Sequence, residues 1–195
     1  MAVTFLHTER LDLQSLTGQD AAEVLAYINR NRKFLEPWEI RRDASYYTLE
    51  AQRRLLTEEA ENMEYGQLFK LWFRTRGDHG RIIGSAALSN IVRGSFLSCH
   101  LGYKLDEEER NKGYMTEALQ AMIDYGFREL GLHRIEANIM PRNAASLAVV
   151  HKLGFYHEGV AFKYLKVGGV WEDHIHMVLR NEAMEQELPN PSIFL

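Results

Sequence analysis

The 195-residue sequence predicts a single mixed α/β domain, and three observations carry that expectation. Segments of alternating apolar residues interleave with segments of helical apolar spacing. Two glycine-bearing turns, around Gly77 and Gly80 and at Gly168-Gly169, each separate two strand-like runs in the manner of a hairpin. No repeat, low-complexity tract or proline-rich linker divides the chain, and hydrophobic residues make up 46% of it, enough to build one folded core.

Taken in order, Leu11 and Leu13 alternate with polar neighbours over Glu9 to Gln14, a strand leading into a helix over Thr17 to Asn31 with Leu25 and Ile28 inward. The stretch from Asn31 to Tyr47 carries Phe34, Leu35, Pro37, Trp38, Tyr46 and Tyr47 among charges and reads as a structured connection walling a pocket. A charged helix over Leu49 to Glu64 precedes a hairpin of Gln67 to Arg76 and Arg81 to Val92. Ser98 to Leu105 is the next strand. Gly113 to Leu130 is a helix, with Ala118, Leu119, Met122 and Phe127 spaced for burial. Arg134 to Ile139 reads as a strand, Ala144 to Leu153 as a helix, and Tyr156 to Lys166 with Val170 to Leu179 as a final hairpin. The Glu-rich, Pro-punctuated end reads as a surface tail, so the domain is expected over residues 1–180 and the tail over 181–195.

A net charge of −4 and an isoelectric point near 6.1 provide no basic field for nucleic acid or an anionic membrane, so sequence-specific nucleic-acid binding is not expected and a basic protein partner suits better. Cys99 is the lone cysteine, which excludes an internal disulfide and a multi-cysteine zinc site; no metal is expected, and a reducing cytoplasm is the simplest location. Met1 to Arg10 lacks the apolar run of a signal peptide, and no stretch approaches the ~20 apolar residues of a membrane span.

Chemistry concentrates at two strand-to-helix junctions. Arg110-Asn111-Lys112-Gly113-Tyr114-Met115-Thr116 opens a helix whose first amides lack intrahelical acceptors and whose end carries roughly half a positive charge, a setting for an anion. Gly113 lets a pyrophosphate approach the backbone with no Cβ in the way, while Arg110 and Lys112 add charge. The same residues also fit a plain turn with a solvated basic face. At the second junction, the strand ending at Ile139 leads through Pro141-Arg142-Asn143-Ala144-Ala145-Ser146 into a helix closing with Lys152-Leu153-Gly154-Phe155. Asn143 is a natural N-cap and Ser146 lies three residues on, so both face the space between the two strands; a purely capping Asn143 is the structural alternative.

Together these elements resemble the GNAT superfamily of acetyltransferases, whose acetyl-CoA signature runs Arg or Gln, two residues, Gly, one residue, Gly or Ala. Arg110, Gly113 and Met115 hold those places, Met115 departing from the usual small residue. Two further stretches, Asn31-Arg32-Lys33-Phe34-Leu35-Glu36-Pro37-Trp38-Glu39 and Ser89-Asn90-Ile91-Val92-Arg93-Gly94-Ser95-Phe96, are similar to the ribosomal-protein-alanine N-acetyltransferases of that superfamily. The likeness continues through Leu101-Gly102-Tyr103, His133-Arg134-Ile135 and Trp171-Glu172-Asp173-His174. It implies a central, mostly antiparallel sheet flanked by helices, whose splayed central strands, here Ser98 to Leu105 and Arg134 to Ile139, admit a pantetheine arm. It further implies acetyl-CoA as cosubstrate, held by Tyr103, Leu105, Arg110, Asn111, Lys112, Gly113, Tyr114, Met115, Thr116, Asn143 and Ser146. The implied acceptor is a protein N-terminal α-amine, the N-terminal alanine of a small-subunit ribosomal protein.

Forming an amide from a thioester needs a neutral amine, an oriented carbonyl and a proton for the departing thiolate. Many GNAT members carry a carboxylate base two residues before the position of Gly102. His100 stands there, and an imidazole, ordinarily titrating near about 6.5, accepts a proton at neutral pH. Val150 occupies the place of the usual helix tyrosine, which leaves Ser146 as the expected group at the sulfur, with Tyr103 and Tyr164 as other hydroxyls. Glu36, Trp38, Glu39 and Tyr164 are the expected acceptor-side residues, the acidic ones suiting a basic N-terminal peptide. The structural alternatives are a satisfied core histidine, a core-anchoring tryptophan and solvated glutamates. The scaffold also suits a small amine such as a polyamine, or a non-catalytic acetyl-CoA-binding module.

Overall fold

The computed structural model describes residues 4–77 and 80–186. Along the chain run β1 (Phe5–His7), β2 (Leu11–Gln14), α1 (Ala21–Leu35), α2 (Leu49–Glu64), β3 (Leu68–Thr75), β4 (Gly84–Val92) and β5 (Ser98–Leu105). There follow α3 (Tyr114–Arg128), β6 (Arg134–Ile139), α4 (Ala144–Lys152), β7 (Tyr156–Val167), β8 (Val170–Arg180) and α5 (Glu182–Glu185). The strands form one sheet in the order β1-β2-β3-β4-β5-β6-β8-β7, antiparallel at every junction except β5–β6. This is the mixed, mostly antiparallel sheet expected.

The parallel junction places the site. β5 and β6 share only the pairs Ser98↔Arg134, Cys99↔Ile135 and His100↔Glu136. Beyond them each strand keeps its outer partner, Gly102 opposite Ala87 and Ile139 opposite Ile175, while the two inner edges part. Backbone groups along those edges are left without a ladder partner, and a buried unpaired peptide group is costly unless something else bonds to it.

Alternation along the strands divides the core between the two faces of the sheet. Leu88, Leu101, Ile135 and Ala137 pack with Met115, Ala118, Leu119 and Met122 of α3 and with Val150 of α4. On the opposite face Val24, Tyr27 and Ile28 of α1 and Leu56 of α2 cover Trp72 and Ile82, with the Tyr27 and Trp72 rings edge-on at 5.7 Å. Gly84 marks a tight crossing: a Cβ there would lie 2.4 Å from the buried Phe73 ring and 2.7 Å from the Lys104 carbonyl. Neither neighbour can retreat, so Gly84→Ala is expected to cost about 2–3 kcal/mol, roughly 5–10 °C in Tm by thermal melt. An unchanged Tm would contradict this packing.

Several expected boundaries move. Thr17 caps a short 3-10 turn, Gly18–Asp20, in a capping box whose Asp20 carboxylate accepts from the Thr17 amide at 2.7 Å, and the α-helix begins after it, at Ala21 rather than Thr17. It runs on to Leu35, making Phe34 and Leu35 its last turn. Val24 and Tyr27 join Ile28 on the inward face, whereas Leu25 is only half-buried. Strand β4 starts at Gly84 instead of Arg81, and the three-residue β1 was not expected. Strand β8 runs one residue past the expected Leu179, Arg180 pairing with Arg134. Of the expected tail, residues 187–195 lie outside the described residues, as does Asp78 of the first hairpin turn.

Candidate active site

Gly113 adopts φ 82° and caps α3 without a side-chain hydrogen bond. The first helical bond is from the Glu117 amide to the Gly113 carbonyl, so the amides of Tyr114, Met115 and Thr116 face the loop without intrahelical acceptors. Asn111 also has positive φ, 62°, which turns the loop around this point. Met115 sends its side chain into the core, 6% exposed, so the large residue does not crowd the loop. The cradle therefore fits a pyrophosphate: open amides, a left-handed glycine and a helix start. Of the two basic residues, Arg110 lies over the Phe34 ring at 5.0 Å, and Lys112 is paired with Glu109 at 2.7 Å.

Arg10 holds this loop from the other end of the chain. It donates to the Lys112 carbonyl at 2.9 Å, pairs with Glu117 at 2.7 Å and lies over the Tyr114 ring. Burial alone would raise the Glu117 carboxyl, but hydrogen bonds from Thr8 and from the Arg10 backbone and guanidinium hold it below the ordinary range. Asp106, 1% exposed at the end of β5, is held by Arg30 at 2.6 Å and accepts from the Glu108 amide. Its burial acts to raise the carboxyl, and the Arg30 and amide bonds outweigh that and lower it. A depressed carboxyl stabilises the fold above its unfolded value, about 3.9, and loses that contribution as pH falls through the folded one. Asp106→Asn is thus expected to be less stable than the native chain at neutral pH, with the gap closing below about pH 4, as read by chemical denaturation. A gap constant with pH would contradict the role given to the charge.

Between the parted strands opens a cavity of about 870 Å³, reaching from the α3 loop to the sheet face beside α1 and α2. Arg110, Asn111, Gly113, Tyr114, Met115 and Thr116 line one end. Tyr103 and Leu105 of β5 face Asn143 and Ser146 of α4 across it, and the Tyr103 hydroxyl donates to the Ser146 carbonyl at 3.0 Å. Burial pushes the Tyr103 phenol up to about 12. Asn143 is the cap expected, accepting from the Ser146 amide at 3.2 Å. Lys112 is not among the lining residues.

The acceptor-side expectations separate. Trp38 and Glu39 line the cavity; Glu36 is exposed and does not. Glu39 is paired with Lys104 at 2.9 Å, so its charge is already met. Lys70, also lining, pairs with Glu59; burial pushes its ammonium down despite that carboxylate. Arg142 lies 4.9 Å over Trp38, donates to the Pro37 carbonyl at 2.9 Å and pairs with Glu172 at 3.0 Å. The Gly168 amide donates to the Glu39 carbonyl at 3.2 Å, so the aromatic connection and the β7–β8 turn close one wall. His100 stands at the last position of β5 that pairs with β6, outside the lining set, with Nδ1 3.1 Å from the Asn90 amide nitrogen and Nε2 3.8 Å from Glu136. Tyr164 lies outside it too, its hydroxyl 3.4 Å from the Asn138 amide nitrogen. Arg10, Asn138 and His174 were not singled out from the sequence. Arg10 and Asn138 belong to no motif, and the two cavity residues meet only through the sheet.

The sheet is parted at one parallel junction, with an anion cradle at one end of the gap and an open cavity through it. The chain belongs to the GNAT acetyltransferases: the family model described as "Acetyltransferase (GNAT) domain" matches residues 10–156. It is 43% identical over 174 residues to the probable N-acetyltransferase YjcK of Bacillus subtilis, covering 89% of this chain and 96% of that protein. Against the [ribosomal protein uS5]-alanine N-acetyltransferase of Escherichia coli the identity is 41% over 172 residues, 87% of each chain. The solved structure of Mycobacterium smegmatis RimJ in complex with CoA-disulfide superposes with a TM-score of 0.85 at 26% identity, covering 94% of this chain and 89% of that one. Among the described residues no helix is long and apolar enough to cross a membrane.

Proposed function

We propose that this protein transfers the acetyl group of acetyl-CoA to a protein N-terminal α-amine, with the N-terminal alanine of a small-subunit ribosomal protein as its natural acceptor in the cytoplasm. The observation that carries this reading is the 41% identity with the E. coli uS5-alanine enzyme over 172 residues, 87% of this chain. A loop for phosphates does not require Trp38 and its Arg142 partner; an acceptor cavity does. In this reading the Tyr114 to Thr116 amides bond the pyrophosphate, the free inner edges of β5 and β6 bond the pantetheine amides, and Ser146 stands at the sulfur. The exposed Glu36 and the net charge of −4 favour a basic peptide over an acidic one. Intact-mass analysis of ribosomal proteins from cells with and without this gene tests it. One small-subunit protein that begins with alanine is expected to lose an acetyl group in the deletion; an unchanged set of masses would reject the acceptor.

A further inference from the structure

Three imidazoles lie on the sheet face that α1 and α2 leave open: His100 on β5, and His174 and His176 on β8. Alternation puts them there, because Ile175, Met177 and Leu179 between and beyond them belong to the α3-side core. They differ in what their ring nitrogens can do. His100 has Nδ1 at the Asn90 amide nitrogen, a donor, so in the neutral ring the proton sits on Nε2 and faces the Glu136 carboxylate. No lone pair remains free. His176 gives its Nδ1 proton to Glu136 at 2.9 Å, and its Nε2 is buried without a partner, outside the cavity lining.

His174 is arranged otherwise. It is 3% exposed to solvent and lines the cavity. Its Nδ1 lies 3.1 Å from the Glu172 backbone carbonyl, which can only accept, so the proton is on Nδ1 and Nε2 carries the lone pair. Asn138, opposite His176 in the sheet, also lines the cavity, and its Oδ1 is buried without a hydrogen-bond partner among the described residues. An imidazole lone pair on a cavity-lining residue complements an ammonium, which has three donors and no acceptor. Tyr164 packs over the His174 ring at 5.5 Å between centroids.

We propose that His174 takes the proton from the acceptor ammonium at Nε2. The neutral amine then attacks the acetyl carbonyl carbon; the C–N bond forms, the C–S bond breaks, and the departing thiolate takes up a further amine proton. The other charged groups around His174 are already matched: Glu39 with Lys104, Glu172 with Arg142, and Glu136 with Arg134 and His176. The inference rests on amine acetylation, and on the α-amine reading only for the choice of test peptide.

The test compares the native enzyme with His174→Gln and His100→Gln on a peptide beginning with alanine, from about pH 7 to about pH 9.5, with CoA affinity measured on each variant as a check of folding. An α-amine titrates near 7.7–8.0, so at the upper pH it needs little help. We expect His174→Gln to reduce kcat/KM about 100-fold at the lower pH and only several-fold at the upper, and His100→Gln to show a loss that does not change with pH. A pH-independent loss in His174→Gln, or a pH-dependent one in His100→Gln, would overturn the assignment. Nitrogen-15 spectra of the native enzyme decide the same point without a variant: His174 is expected as the Nδ1–H tautomer, and an Nε2–H tautomer would refute the proposal. If the peptide is not acetylated while a polyamine is, the acceptor reading fails, and the tautomer still decides His174.

Discussion

Replacing Gly113 with aspartate is expected to remove CoA binding altogether, a fall of at least about 100-fold in affinity. Two costs combine. The residue sits at φ 82°, where an L side chain is strained by roughly 1–2 kcal/mol, and the strain is relieved by moving the amides away from the phosphates. The new Cβ lies 3.2 Å from Arg10 Nη2, so the carboxylate competes for the guanidinium that holds the Lys112 carbonyl, and it sets a negative charge beside the pyrophosphate. Arg110→Ala should weaken binding only several-fold, because that side chain lies over Phe34 and its charge is not what shapes the loop. Calorimetric titration with CoA reads both. Equal affinity in Gly113→Asp and the native protein would remove the pyrophosphate from this loop.

The second large effect concerns the choice of amine. With reference values of about 7.8 for an α-amine and about 10.4 for lysine, roughly 15% of the former and about 0.04% of the latter is neutral at pH 7, a difference of several hundredfold. Erasing that difference would require the cavity to depress a bound lysine strongly, through burial or a neighbouring cation. Of its three lysines Lys70 and Lys104 each face a glutamate, Lys152 closes α4, and the place of the usual helix tyrosine holds Val150, wholly buried in the core. Competition between two otherwise identical basic peptides, one with a free alanine amine and a blocked lysine and the other reversed, should favour the first by more than about 100-fold. Comparable rates would show that the pocket activates lysine.

Local chemistry made much of this protein legible in its sequence. The period-2 run at Leu11 and Leu13, the glycine turn at Gly168-Gly169 and the apolar spacing of Ala118, Leu119 and Met122 each report a short-range rule, and each element formed. The open helix start at Gly113 was readable for the same reason, since the glycine and the first turn lie side by side in the chain. What escaped was set at long range. Thr17 looked like the start of a helix because its cap is a side-chain bond to Asp20, which sequence spacing shows only as a pair of polar residues. Arg10 reaches the loop through Glu117. Asn138 and His174 come to line one cavity only because β6 and β8 pair antiparallel, in a register that places Ile139 opposite Ile175. Glu39, read as a free acidic residue for the acceptor, meets Lys104 across the fold.

The central claim is transfer to one α-amine, and the most direct measurement is site-resolved mass spectrometry of unmodified small-subunit ribosomal proteins incubated with this enzyme and acetyl-CoA. A single acetyl group is expected, on the N-terminal nitrogen of a protein that begins with alanine, with internal lysines left unmodified. Acetylation confined to lysine side chains, or none on any ribosomal protein while a free small amine is consumed, would contradict it.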